Sequence, residues 1–103
     1  MYLAGQCPVA ADGSVAEGVL PQVDQVVANT AAALEFAGAE PADVVRTVVY
    51  VVTADRAVLS EVWDRLTGSE IGEAFTSAST LVGVAQLGFE GQLVELDVTA
   101  ALD

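Results

Sequence analysis

Glu95 and Asp97 stand two residues apart in the run Leu93-Val94-Glu95-Leu96-Asp97-Val98-Thr99-Ala100, whose strict alternation marks a half-buried strand. Both carboxylates then project from one face, and Val94, Leu96, Val98, Ala100 and Leu102 from the other. A carboxylate on a sheet face can accept a proton from water, and a like charge beside a base favours that uptake. The plainer reading is a hydrogen-bonded or solvated carboxylate at an interface. The chain has no histidine, so near-neutral proton transfer falls to a carboxylate or a bound water. Cys7 is the single thiol, and no cation lies near it in sequence to stabilise a thiolate; a buried, inert thiol is the better reading. A serine nucleophile would lack its usual histidine base.

The elements that must position these groups can be read from periodicity and turn chemistry. Residues 2–5 form a short strand, and Asp12-Gly13 between valines is a hairpin-type turn. Over residues 19–37, Val19, Val23, Val26, Thr30, Leu34 and Ala37 recur at three- and four-residue steps, predicting a helix with Pro21 in its first turn and Gly38 as its stop. The β-branched run 44–52 predicts a buried, central strand. Thr53 or Asp55 caps a second helix, whose stripe Leu59, Val62, Trp63, Leu66 ends at Gly68. Residues 68–76 follow as a loop. Strands over 77–87 and 92–102 close the chain, with Gly88-Phe89-Glu90-Gly91 read as a hairpin between them. The fold class is thus α+β, one domain over residues 1–103: a mixed sheet with right-handed crossovers that put two helices on one face.

That arrangement leaves the second sheet face bare. Apolar residues make up 53% of the chain and its mean hydropathy is +0.54, more than one small core needs. At 103 residues the domain buries only about 60 to 65% of its unfolded surface, so symmetric assembly through the bare face is expected. Fifteen acidic residues against Arg46, Arg56 and Arg65 give a net charge of −12. Phosphate backbones would be repelled, which argues against a nucleic-acid partner. No apolar run is long enough to span a bilayer and no basic flank suggests a signal peptide. A cytoplasmic protein is expected, and the lone cysteine agrees.

Three stretches, in order, resemble the RidA (YjgF/UK114) family and together span nearly the whole chain. They are Leu3-Ala4-Gly5-Gln6-Cys7-Pro8-Val9, Asp43-Val44-Val45-Arg46-Thr47-Val48-Val49-Tyr50-Val51, and Thr80-Leu81-Val82-Gly83-Val84-Ala85-Gln86-Leu87 through Leu93-Val94-Glu95-Leu96-Asp97. They are similar to the family's Ser-Gly-Gln-x-Pro strand end, its Asp-Val-Val-Lys-Thr-x-Val-Phe-Val strand, and its strand pair ending in Val-Glu-Ile-Glu. The resemblance implies a chorismate-mutase-like two-layer sandwich and a homotrimer with small-molecule pockets at the subunit interfaces, without metal or cofactor.

In typical members an arginine grips the substrate carboxylate, and the first glutamate of Val-Glu-Ile-Glu orients the water that attacks an imine. Glu95 takes the glutamate's place, and Ser79 stands at the arginine's. Gly5 and Cys7 belong to the strand end that lines the family pocket, where a glycine lets backbone approach a ligand closely. Ser60 and Trp63 replace the family's Asn-x-x-Tyr pair, Trp63 being a core residue on the plainer reading. Arg46 could stand in for the missing guanidinium only by pointing into the pocket, and the family's lysines there are structural. The chain starts at the Gly-Gln strand, so a more open pocket is expected. Two functions stay in view. One is an imine or enamine hydrolase (deaminase-like), or a biosynthetic relative with altered substrate, weak or inactive on 2-imino acids. The other is a non-catalytic trimer that binds a small metabolite or supports a partner enzyme.

Overall fold

The computed structural model describes residues 1–102. Strand β1 (Tyr2–Gln6) leads through a small hairpin, bridged at Val9 and Val15, into helix α1 (Val19–Phe36). The Asp12-Gly13 turn closes that hairpin: Gly13 takes a positive φ of 85° and its N–H reaches the Ala10 carbonyl at 2.9 Å. Helix α1 ends where expected. Ala37 caps it and Gly38, at φ 77°, turns the chain away in the left-handed conformation that glycine tolerates.

A 3-10 turn (Pro41–Asp43) feeds β2 (Val44–Val52), followed by α2 (Arg56–Thr67). Of the two candidate caps for α2, Asp55 serves: its carboxylate accepts from the Ala57 N–H at 2.9 Å. The stretch read as a loop after Gly68 contains a further 3-10 turn (Gly72–Thr76) that buries Ala74 and Phe75. Its glycine is required by space, since a β-carbon on Gly72 would collide with the Thr67 carbonyl oxygen. Strands β3 (Ala78–Val84) and β4 (Val94–Ala100) complete the chain.

The sheet order is β1-β4-β2-β3, and here one expectation is corrected. Residues 77–87 and 92–102 do not form a hairpin. β3 runs parallel to β2 on one side and β4 runs antiparallel to it on the other, with residues 85–93 crossing past the end of β2, where the Val52 N–H meets the Leu93 carbonyl at 2.9 Å. Burial explains the outcome. The inward residues of β4, Val94, Leu96, Val98 and Ala100, are almost wholly buried and need the middle of the sheet beneath α1, whereas the half-exposed β3 suits an edge. Leu102, assigned to the same inward row, lies beyond β4 and is 47% exposed.

The core joins Val23, Val26, Val27 and Leu34 of α1 and Val62 and Leu66 of α2 to Val49, Val51 and the inward row of β4. The central place of β2 and the packing of two helices on one sheet face are as the sequence predicts. Gln22 is an exception to the apolar rule. It is 1% exposed, and its amide donates to the carbonyls of Ala16 (2.9 Å) and Gly91 (2.8 Å) while accepting from the Leu93 N–H (2.8 Å). One side chain thereby ties the start of α1 to the crossover that delivers β4. A bidentate pair between Arg65 and Asp24 also joins the helices and holds the Asp24 carboxyl below its ordinary range. Both partners are about half exposed, so its share of stability is small. Among the described residues, no helix is long and apolar enough to cross a membrane.

Candidate functional site

Residues directly opposite on paired strands share a sheet face, so the register fixes what surrounds Glu95. Glu95 lies opposite Tyr50, Asp97 opposite Val48, and Thr99 opposite both Arg46 and Tyr2. Glu95 and Asp97 thus occupy the face away from the helices, half-buried rather than fully solvated. Strand β1 brings Gly5 and Cys7 to them. Its pairing with β4 shifts between Leu3 and Gln6, and Gly5 takes a φ of 70° in that irregularity.

Asp97 fastens this bulge. One carboxylate oxygen accepts from the Gly5 N–H at 2.7 Å and the other from the Tyr50 hydroxyl at 3.3 Å. Burial and then the Asp97 charge push the Tyr50 phenol above its ordinary range, so it stays a donor. With the bulge held, the Cys7 thiol lies 3.0 Å from the Gly5 carbonyl and 3.5 Å from Oε1 of Glu95. Burial first, then the hydrogen bond and charge of Glu95, raise the thiol above its usual range. Cys7 is therefore a protonated donor toward Glu95, in keeping with an inert thiol. The Gln92 amide donates to the same Oε1 at 3.2 Å. Among the described residues no protein group donates to Oε2. That oxygen is left for water or a ligand.

Ser79 lies elsewhere. In the parallel ladder it is level with Thr47, whose hydroxyl donates to Ser79 Oγ at 2.6 Å, and Thr47 is only 1% exposed on the helix side of β2. Ser79 and Glu95 therefore look out from opposite faces of one sheet. Two residues on, Leu81 projects from the same side as Ser79 and lines a cleft of about 370 Å³ with Arg56, Leu59, Ser60, Trp63 and Asp64. Trp63 is held edge-on against Phe75, with ring centroids 5.6 Å apart. Arg46 shares the Glu95 face, four residues along β2 from Tyr50, with no carboxylate within ion-pair distance among the described residues.

Gly5, Cys7 and Glu95 thus lie together, and Ser79 is not among them within one chain. Sequence reading passed over Gln92 and Asn29. The Asn29 amide donates to the carbonyls of Cys7 (2.9 Å) and Val9 (3.0 Å), so α1 holds the segment that carries the thiol. The available signal was an amide beside the apolar stripe of α1, a position where a buried polar group needs partners.

The family model described as Endoribonuclease L-PSP matches residues 1–102. No curated protein matches the chain. Among solved structures, YyfB from Yersinia pestis, a Rid-family protein of unknown function, is 34% identical with a TM-score of 0.85, over 99% of this chain and 77% of that one. RidA from an Antarctic Psychrobacter is 31% identical, with a TM-score of 0.77 over 98% and 79%. A Mycobacterium tuberculosis member of the YjgF/YER057c/UK114 family is 27% identical, with a TM-score of 0.78 over 98% and 77%. With the family model matching end to end and the same two-layer fold in these relatives, the chain belongs to the Rid (YjgF/YER057c/UK114) family, the family that the Endoribonuclease L-PSP model describes.

Proposed function

We propose that the chain, one domain over residues 1–103, forms a cytoplasmic homotrimer that hydrolyses imines or enamines in pockets between its subunits. The observation that carries this reading is Glu95, tethered through Oε1 by Gln92 and Cys7 with Oε2 unengaged among the described residues. A carboxylate so held can orient a water by its free oxygen and take a proton as the water adds to the imine carbon. The carboxylic acid so formed returns that proton to the imine nitrogen, and the carbinolamine then breaks its C–N bond, its hydroxyl proton passing to nitrogen by the same carboxylate, to leave a carbonyl and ammonia. No metal or cofactor enters these steps.

The need for a second subunit follows from the faces. If the region of Ser79, Ser60 and Trp63 and the region of Glu95, Gly5 and Cys7 line one pocket, they must come from different copies, because a single sheet separates them. The uncovered face supports assembly, carrying Tyr2 at 83% and Val82 at 36% exposure. A net charge of −12 favours a small metabolite over RNA. Ser79 favours a second reading: its hydroxyl is engaged by Thr47 and offers no charge to a carboxylate, as in a trimer that binds a ligand without turning it over.

Ammonia release from a panel of imines generated in the assay separates the two. Release above the buffer rate is expected for larger imines and little for 2-iminopropanoate, whose carboxylate meets serine at position 79. No acceleration with any imine would leave only the binding reading.

A further inference from the structure

The cleft between α2 and β3 has a cation of its own. Arg56, Leu59, Ser60, Trp63 and Asp64 sit at helical steps of three and four, so they form one stripe of α2 about 12 Å long facing Leu81. Leu59, Trp63 and Leu81 make its walls apolar, and at about 370 Å³ it falls in the range of small-molecule sites. The guanidinium at one end is uncommitted. Of the three arginines Arg65 is bound to Asp24 and Arg46 lies on the opposite sheet face, and no carboxylate among the described residues comes within ion-pair distance of Arg56. No ion pair among the described residues thus occupies the guanidinium at the end of the apolar cleft.

We propose that this cleft binds a monocarboxylate with an extended apolar body, its carboxylate gripped by Arg56. The inference deepens the imine-hydrolase reading, on which it rests, by naming a substrate class. Guanidinium supplies the bidentate, charge-assisted pair that serine at position 79 cannot. The guanidinium also stands away from position 79. Arg56 shares its cleft with Leu81, and Leu81 lies two strand residues, about 7 Å, beyond Ser79. That offset disfavours a carboxylate as short as that of 2-iminopropanoate and suits one carried on a longer apolar chain. Asp64, two helical turns from Arg56, repels a carboxylate at the far end and fixes the ligand's direction.

Trp63 is the only tryptophan, so its emission reports occupancy of the cleft directly. Octanoate is expected to change that emission saturably, with octanamide binding more weakly and acetate not at all. Arg56→Gln alters an exposed side chain and should weaken octanoate about tenfold to a hundredfold while leaving octanamide unchanged. Equal binding of octanoate and octanamide by the unaltered chain, or octanoate binding untouched by Arg56→Gln, overturns the proposal, as does an unresponsive Trp63. The mass of the same samples in solution keeps the two ideas apart. Arg56-dependent binding by a single chain upholds this site and removes the inter-subunit pocket. A trimer without such binding does the reverse.

Discussion

Glu95→Gln is expected to lower imine hydrolysis by at least about a hundredfold, the usual scale for loss of a positioned acid or base. The amide is nearly the same shape, and its oxygen can still accept from Gln92 and the Cys7 thiol where Oε1 accepts now. The change therefore falls on the other atom. An NH₂ group in place of Oε2 donates instead of accepting, and cannot take a proton from water. The loss should appear in kcat, with the octanoate response of Trp63 retained, because Arg56 grips the carboxylate while Glu95 acts only on the water. A variant that keeps within twofold of the original kcat would move the chemistry away from Glu95.

The largest effect on stability is expected at Gln22, far from any reacting atom. Gln22→Leu conserves volume but strips partners from the Ala16 and Gly91 carbonyls and the Leu93 N–H, all met by one buried amide. Ala16 and Gly91 are exposed residues whose carbonyls water can reach, so the cost falls mainly on the half-buried Leu93 N–H, about 1 to 3 kcal/mol, partly offset by the apolar side chain gained. A net loss of about 1 to 2 kcal/mol should lower the melting temperature by at least about 4 °C at fixed protein concentration. An unchanged melting temperature would mean that water satisfies these groups and that the staple is dispensable.

That staple also shows where sequence reading stops. The helices, the buried β2 and the two-faced β4 follow from local periodicity, because burial of an apolar stripe or row is decided within the element. The partner of β4 is decided by competition between distant strands. Gly88 to Gly91 carry the same turn chemistry whether the chain folds back on β3 or passes the end of β2, so the hairpin expectation had no local test. The face of Ser79 has the same character. It depends on the register Thr47↔Ser79, and a shift of one residue would turn its side chain to the Glu95 side. Glu95, Gly5 and Cys7 were legible through motif and alternation. Gln22, Asn29 and Gln92 were not, because an amide in an amphipathic pattern reads as surface until its partners from other elements are known.

The Glu95 region and the region of Ser79 and Trp63 lie on opposite sides of one sheet, so a pocket lined by both is completed only between copies. Light scattering on the purified chain at micromolar concentration tests it most directly. A mass of three chains of 10.5 kDa each is expected. A mass of one chain, holding steady as concentration rises, would contradict it.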